Sequence, residues 1–255
     1  MRSYFHSRFY SLIVIGLCLA IFIMGITIWH TRRIARSRVQ TFYHFVEKGE
    51  KIQDIAQKYS LPVEDILLLN KPPNPDKLYQ GQALLIPDRK GIDVNNVDLF
   101  SAFCNFPSSV TEMKWEYIII HHSATSAGSA LAIHEYHLKR NMWRNGLGYD
   151  FIIGNGNGAF DGGIEVSHRW AKQMHGSHVA VDDMNAKGIG ICLIGNFENT
   201  LPTDKQLETL NSLTRYLSKK YNIPPENILG HGEVKGARTQ CPGKHLKLEK
   251  LRKSL

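Results

Sequence analysis

Ile118-Ile119-Ile120-His121-His122-Ser123-Ala124-Thr125 is a run of β-branched residues that ends in a histidine pair. Such a run reads as a buried strand that delivers an imidazole at its carboxyl end. A second segment, Gly230-His231-Gly232-Glu233-Val234 continuing to Ala237-Arg238-Thr239-Gln240-Cys241-Pro242-Gly243, sets His231 and Cys241 on a loop punctuated by Gly and Pro. Two imidazoles and one thiolate suit zinc, and three protein ligands leave a fourth tetrahedral position for water, the pattern of a catalytic site. Successive strand residues point to opposite faces, so only one of His121 and His122 can face an ion. Twelve histidines in 255 residues leave a structural role open for any one of them on spacing alone.

Two further runs lie between these segments, Gly148-Tyr149-Asp150-Phe151-Ile152-Ile153 and Gly188-Ile189-Gly190-Ile191-Cys192-Leu193-Ile194-Gly195-Asn196-Phe197. The four pieces, in this order and spacing from Lys114 to about Leu246, resemble the type 2 N-acetylmuramoyl-L-alanine amidases and the related peptidoglycan recognition proteins. The resemblance implies an α/β fold, a central mixed β-sheet flanked by helices, and zinc-dependent cleavage of the amide between N-acetylmuramic acid and L-alanine in peptidoglycan. It places the zinc ligands at His121, His231 and Cys241. An active-site tyrosine maps onto Tyr149, whose phenol is expected to hydrogen-bond the attacking water or the oxyanion. Thr239 stands where some relatives carry a lysine; it can donate a hydrogen bond but brings no positive charge. His178, in Gly176-Ser177-His178, matches a position that lines the substrate groove. Cys192 replaces a glutamate found in some relatives and reads as a buried apolar residue. His137 also recurs in relatives, where a fold-stabilising hydrogen bond explains it as well as chemistry does, and Glu233 is read either as orienting His231 or as a solvated carboxylate.

Strands are expected at 117–121, 149–153 and 188–195, with a helix over His134–Met142. Another helix is expected from Thr203 to Tyr221, opening on the capping-box pattern Thr203-Asp204-Lys205-Gln206 and burying Leu207, Leu210, Leu213 and Leu217.

Ahead of this domain, Thr41 to Pro87 resembles a LysM module. Ile52, Ile55, Ala56 and Tyr59 recur at helical spacing, as do Ile66, Leu67 and Asn70, so the segment reads as a small βααβ unit closed by Leu78–Pro87. LysM modules bind N-acetylglucosamine-containing glycans, so the resemblance implies glycan strands as a partner. Still earlier, Ser11 to Trp29 is an uncharged stretch of 19 residues. At about 1.5 Å per residue it spans roughly 28 Å and predicts a single transmembrane anchor. A cleavable signal peptide is the alternative, opposed by the length of the run and by Trp29-His30-Thr31-Arg32-Arg33 directly after it. Arg2 and Arg8 before the span are outnumbered by Arg32, Arg33, Arg36 and Arg38 after it, which by the positive-inside rule puts the rest of the chain in the cytoplasm. The LysM resemblance implies the opposite, wall-facing side. The organisation is thus 1–10 flank, 11–29 anchor, 30–40 juxtamembrane linker, 41–88 LysM, 89–112 linker and 113–255 zinc amidase domain.

The formal charge is +8, but residues 1–40 hold six arginines and no acid, so much of it is juxtamembrane and suits anionic headgroups. No nucleic-acid motif accompanies it, and nucleic-acid binding is excluded as a reading. Of four cysteines, Cys18 falls in the span and Cys241 at the metal, leaving Cys104 and Cys192 with pairing open. A monomer is expected. The rivals to a wall amidase are a non-catalytic peptidoglycan-binding protein of the same fold and an intracellular muropeptide-recycling amidase.

Overall fold

Strand β1 (Thr41–Phe45) pairs antiparallel with β2 (Ala83–Pro87), Tyr43 opposite Leu85, in a computed structural model that describes residues 40–88, 97–140 and 145–255. The expected flank at 1–10, the transmembrane anchor at 11–29 and the juxtamembrane linker except Gln40 lie outside the described residues, as do 89–96 of the second linker. Among the described residues no helix is long and apolar enough to cross a membrane.

Helices α1 (Ile52–Lys58) and α2 (Val63–Asn70) complete the expected βααβ unit. Its own core joins Ile52, Ile55, Ala56 and Ile66 of the helices to Leu84 and Ile86 of β2. Asn70 ties α2 to that strand: its amide donates to the carbonyls of Ile66 and Leu85, 2.8 Å each, and accepts from Leu85 N at 2.7 Å. All five β2 residues are buried, which one core cannot explain. Strand alternation turns Ala83 and Leu85 away from the helices, and with Tyr43 they enter a second core containing Phe103, Trp115 and Trp170. The LysM unit is therefore packed onto the following domain. Helix α3 (Leu99–Phe103), N-capped by Asp98, is the wedge between them. The Phe103 carbonyl accepts from Tyr43 Oη at 2.8 Å and from Trp170 Nε1 at 2.7 Å, one from each unit.

The larger domain is built on a five-stranded mixed sheet in the order β5-β4-β6-β3-β7. Strand β3 (Tyr117–His122) lies between and parallel to β6 (Gly188–Leu193), the middle strand, and β7 (Ile228–Gly230). Strand β4 (Phe151–Ile153) is parallel to β6, and β5 (Ile164–Val166) antiparallel to β4. The helices of this domain are α4 (Ala130–Leu138), α5 (His168–Ala171), α6 (Asp182–Lys187), α7 (Asp204–Tyr221) and α8 (Leu248–Lys253). Helix α4 starts earlier than expected because Ser129 caps it, its Oγ accepting from Ala132 N at 3.2 Å.

One sheet face, with Ile118, Ile120, Ile189 and Ile191, packs under Leu210, Leu213 and Leu217 of α7. Thr203 is the N-cap of that helix, and the capping box forms as expected: Thr203 Oγ1 accepts from Gln206 N and Gln206 Oε1 from Thr203 N. Leu207, expected on the buried stripe, is instead 41% exposed. Gln206 takes the inward position, 1% exposed, because its amide donates to the carbonyls of Ile153 and Ile194 at 3.2 and 2.9 Å, a second donor for Ile153, which already accepts from Ile194 N, and the side-chain donor that satisfies Ile194. The other face carries Ile152, Cys192 and Ile194, covered by α4 and by Tyr79 of the LysM unit. Cys104, at the end of α3, and Cys192, inside β6, are both free thiols.

Candidate metal centre

Because β3 and β7 run parallel with Ile120 opposite Gly230, the next residue of each strand, His121 and His231, emerges at the same edge with ring centroids 4.7 Å apart. The loop that brings Cys241 to them passes close to β7: a Cβ on Gly230 would lie 2.7 Å from the ring of Pro242, so this strand end requires glycine. Gly232 N donates to the Cys241 carbonyl at 2.7 Å and His122 N to its Sγ at 3.3 Å, fixing the thiol beside His121. Cys241 Sγ is 3.8 Å from His121 Nδ1, and the ligand atoms of His121, His231 and Cys241 all lie within 4.8 Å of one another. His122 points to the opposite face as alternation requires, accepting from Phe197 N at 3.1 Å.

The chemistry of these donors fits zinc. Burial holds His121 well below the usual histidine range and His231 below it as well, so both rings are neutral and keep a lone pair. Burial pushes the Cys241 thiol up to about 12, with the His122 N–H pulling the other way. A divalent ion reverses that preference, because the thiolate is the ligand form.

His178 does not line a groove. It is 4% exposed and stands behind His121, its Nδ1 3.0 Å from His121 Nε2 and its own Nε2 3.2 Å from the carbonyl of Gly188. A carbonyl only accepts, so Nε2 of His178 carries a proton and Nδ1 accepts from His121 Nε2–H. His121 then has its lone pair on Nδ1, the nitrogen facing Cys241. The ring fits in a slot left by two glycines: a Cβ on Gly176 or Gly190 would come within 2.5 or 2.6 Å of it. Asn185 Oδ1 holds the loop by accepting from His178 N and Val179 N. The glycines of GSH and GIGI were the sequence signal for this slot.

Tyr149 is partly exposed, its ring 5.0 Å from that of His121. Burial first, then the neighbouring Cys192 and Cys241, pushes its phenol well above the usual tyrosine range, so it stays protonated and a donor. Cys192 is fully buried in the apolar cluster against which Tyr149 packs, the buried role expected for it. Thr239 is exposed beside the site and its Oγ1 accepts from Cys241 N at 3.2 Å, leaving the hydroxyl proton free to donate. Glu233 bonds Gly230 N at 2.7 Å and Arg252, so it orients the turn that carries His231 and not the ring itself. His137 Nδ1 accepts from Gly148 N at 3.2 Å, which matches the fold-stabilising of the two readings left open for it. Sequence reasoning missed Asp150, fully buried, whose Oδ2 accepts from Gly190 N at 2.8 Å and pins Tyr149's neighbour to β6.

The family described as N-acetylmuramoyl-L-alanine amidase matches residues 111–244, and the LysM domain family matches residues 44–87. A peptidoglycan recognition protein of Trichoplusia ni is 32% identical over 142 residues, 51% of this chain and 70% of that protein. An N-acetylmuramoyl-L-alanine amidase of Sus scrofa is 27% identical over 139 residues, 50% of this chain and 21% of that protein. Among solved structures, the endolysin amidase LysCS of Clostridium intestinale URNW aligns with a TM-score of 0.48 at 31% identity, covering 55% of this chain and 83% of that one. The chain belongs to the N-acetylmuramoyl-L-alanine amidase family and carries a LysM domain ahead of its amidase domain.

Proposed function

We propose that this chain is a zinc-dependent peptidoglycan hydrolase that cleaves the amide between N-acetylmuramic acid and L-alanine, with the LysM unit binding glycan strands. The observation that carries the reading is the convergence of His121, His231 and Cys241 at one strand edge. When bound there, zinc would polarise the scissile carbonyl and make water a stronger acid. The chain's own groups do the rest. Tyr149 donates its phenol proton to the oxygen that gains charge, and Thr239 offers a second donor without a positive charge. His178 holds His121 in the tautomer whose Nδ1 is free to ligate. The imidazoles are neutral and ready to ligate, whereas the Cys241 thiol gives up its proton when the ion binds.

We further propose, on the sequence alone, that residues 11–29 anchor the enzyme as a monomer in the membrane with the catalytic domain facing the wall. Mass spectrometry of products from defined peptidoglycan, with and without a chelator, tests the chemistry. Release of stem peptides with a free L-alanine amine, lost in the chelator and in Cys241→Ala, is expected. Muropeptide binding without release by the zinc-loaded protein would instead identify a non-catalytic binder. Protease resistance of the catalytic domain in spheroplasts would relocate it to the cytoplasm and favour a recycling enzyme.

A further inference from the structure

The LysM unit reaches the catalytic face of the sheet through Tyr79, in the turn between α2 and β2. Gln82 fixes that turn locally: its Oε1 accepts from Tyr79 N at 3.1 Å and its backbone N–H bonds the Tyr79 carbonyl at 2.9 Å. Tyr79 is 7% exposed and belongs to a cluster that is otherwise entirely amidase: Ala130, Leu147, Ile152, Cys192 and Ile194, with Tyr149 packed against it. Its ring is stacked on His134 of α4, centroids 4.3 Å apart and 30° between planes. The hydroxyl has no hydrogen-bond partner among the described residues, so the ring and not the phenol makes the contact.

His134 passes the contact on. Its Nδ1 accepts from Leu147 N at 3.3 Å, and one helical turn later His137 accepts from Gly148 N at 3.2 Å. These are the two residues before Tyr149. Gly146, at φ +68°, lies so close that a Cβ would be 2.4 Å from the His134 ring. Hydrogen bonds from the sheet begin only at Asp150, whose N–H bonds Gly190 O at 2.9 Å, and Gly148 is held otherwise by its carbonyl, which accepts from Ser177 N at 2.9 Å. The approach to Tyr149 is thus held on its N–H side by two imidazoles on one helix, while Arg169 Nε at 2.7 Å and Ser177 N hold the carbonyls of Leu147 and Gly148, and the first imidazole is backed by an aromatic ring from the other module.

We propose that the LysM unit is a structural part of the active site, with Tyr79 a positioning residue that acts through His134 on Tyr149. This rests on the reading of Tyr149 as the donor in amide hydrolysis. A LysM unit that only tethers the enzyme would alter action on wall polymer and leave a small substrate untouched. A positioning role reaches the small substrate as well.

The test uses the full-length protein in detergent micelles and a soluble muramyl-L-alanyl peptide with no glycan chain. Tyr79→Ala is expected to lower kcat about ten-fold with KM within about two-fold, since a small misplacement of a catalytic group is costly. Tyr79→Phe, which keeps the ring, should retain wild-type kcat. In a Tyr149→Phe background Tyr79→Ala should add little, because the two act as one unit. An unchanged kcat in Tyr79→Ala, or an undiminished effect in the Tyr149→Phe background, overturns the proposal. Fluorine NMR of 3-fluorotyrosine protein provides a reading independent of turnover: the Tyr149 resonance, assigned by its loss in Tyr149→Phe, should shift in Tyr79→Ala and stay in Tyr79→Phe. A fixed resonance in Tyr79→Ala also overturns it. Should Tyr79→Ala not fold, His134→Phe takes its place, keeping the stack but removing the acceptor for Leu147 N–H, and the same loss of kcat is required. Failure of the wild type to release peptide would sink the amidase reading, while the resonance would still report whether Tyr79 positions Tyr149.

Discussion

Replacing His178 by Phe keeps a flat ring in the slot between Gly176 and Gly190 but removes the nitrogen that meets His121 at 3.0 Å. The His121 Nε2 proton then faces hydrocarbon. Either it stays there as a buried donor without an acceptor, at about 1–3 kcal/mol, or it moves to Nδ1 and blocks the ligating lone pair. Loss of such an outer hydrogen bond typically weakens metal affinity about 10- to 100-fold, or about 1.4–2.7 kcal/mol, so the two figures agree. Competition for zinc against a chromophoric chelator measures this directly. His178→Gln, whose Oε1 can still accept from His121, should recover part of the loss. Zinc affinity of His178→Phe within about two-fold of wild type would refute the tautomer argument, since the bond to His121 is the one contact through which His178 acts on the metal ligands.

Other outcomes follow from the same geometry. Tyr149→Phe should lower kcat by about 10²–10³-fold, the cost of one donor to developing charge, with zinc stoichiometry by atomic absorption unchanged. Gly190→Ala would push a methyl to within 2.6 Å of the buried His178 ring, so denaturant unfolding should show about 1–3 kcal/mol of destabilisation together with weaker zinc binding. Burial pushes the Asp150 carboxyl up to about 7 against the pull of Gly190 N–H and Arg169. Because this lies above the unfolded value of about 3.9, its contribution is intact below about pH 4 and is lost as pH rises toward 7, at up to about 1.4 kcal/mol per unit. Unfolding free energy measured across that window should fall, and Asp150→Asn should flatten the slope; Glu165, also raised to about 7 by burial, supplies what remains. A slope unaltered in Asp150→Asn would remove this account.

The strands at 117–121, 149–153 and 188–195 and the ligand triad were legible because their signals are local, whereas β5 and β7, three residues each, are too short to carry a pattern. An isoleucine run ending in histidine has one buried reading, and a cysteine before Pro-Gly reaches the same edge once β7 is parallel to β3. Helix α7 was legible for the same reason, its cap and leucine stripe lying within a single 18-residue element. Leu207 failed because a glutamine that bonds two buried carbonyls, Ile153 and Ile194, outranks a leucine for the inward position, and no sequence pattern announces those carbonyls. Helix α4 was only partly legible, since its inward residues include His134 and His137, which carry no apolar periodicity. His178 was assigned to the wrong surface because a buried imidazole and a groove imidazole look alike in one dimension. Only the glycines that would clash with its ring distinguish them, and their closeness appears after folding. The docking of the LysM unit left one trace, the unbroken apolar run Ala83-Leu84-Leu85-Ile86-Pro87, where a strand open on one side would alternate.

That doubly covered strand bears on how the protein comes apart. Severing the chain between the modules would bare Leu85 and Tyr43 on one fragment and Phe103 and Trp170 on the other, a greasy scar on each. Heating or denaturant should accordingly melt both modules in a single cooperative step, and either half expressed by itself should be prone to clumping.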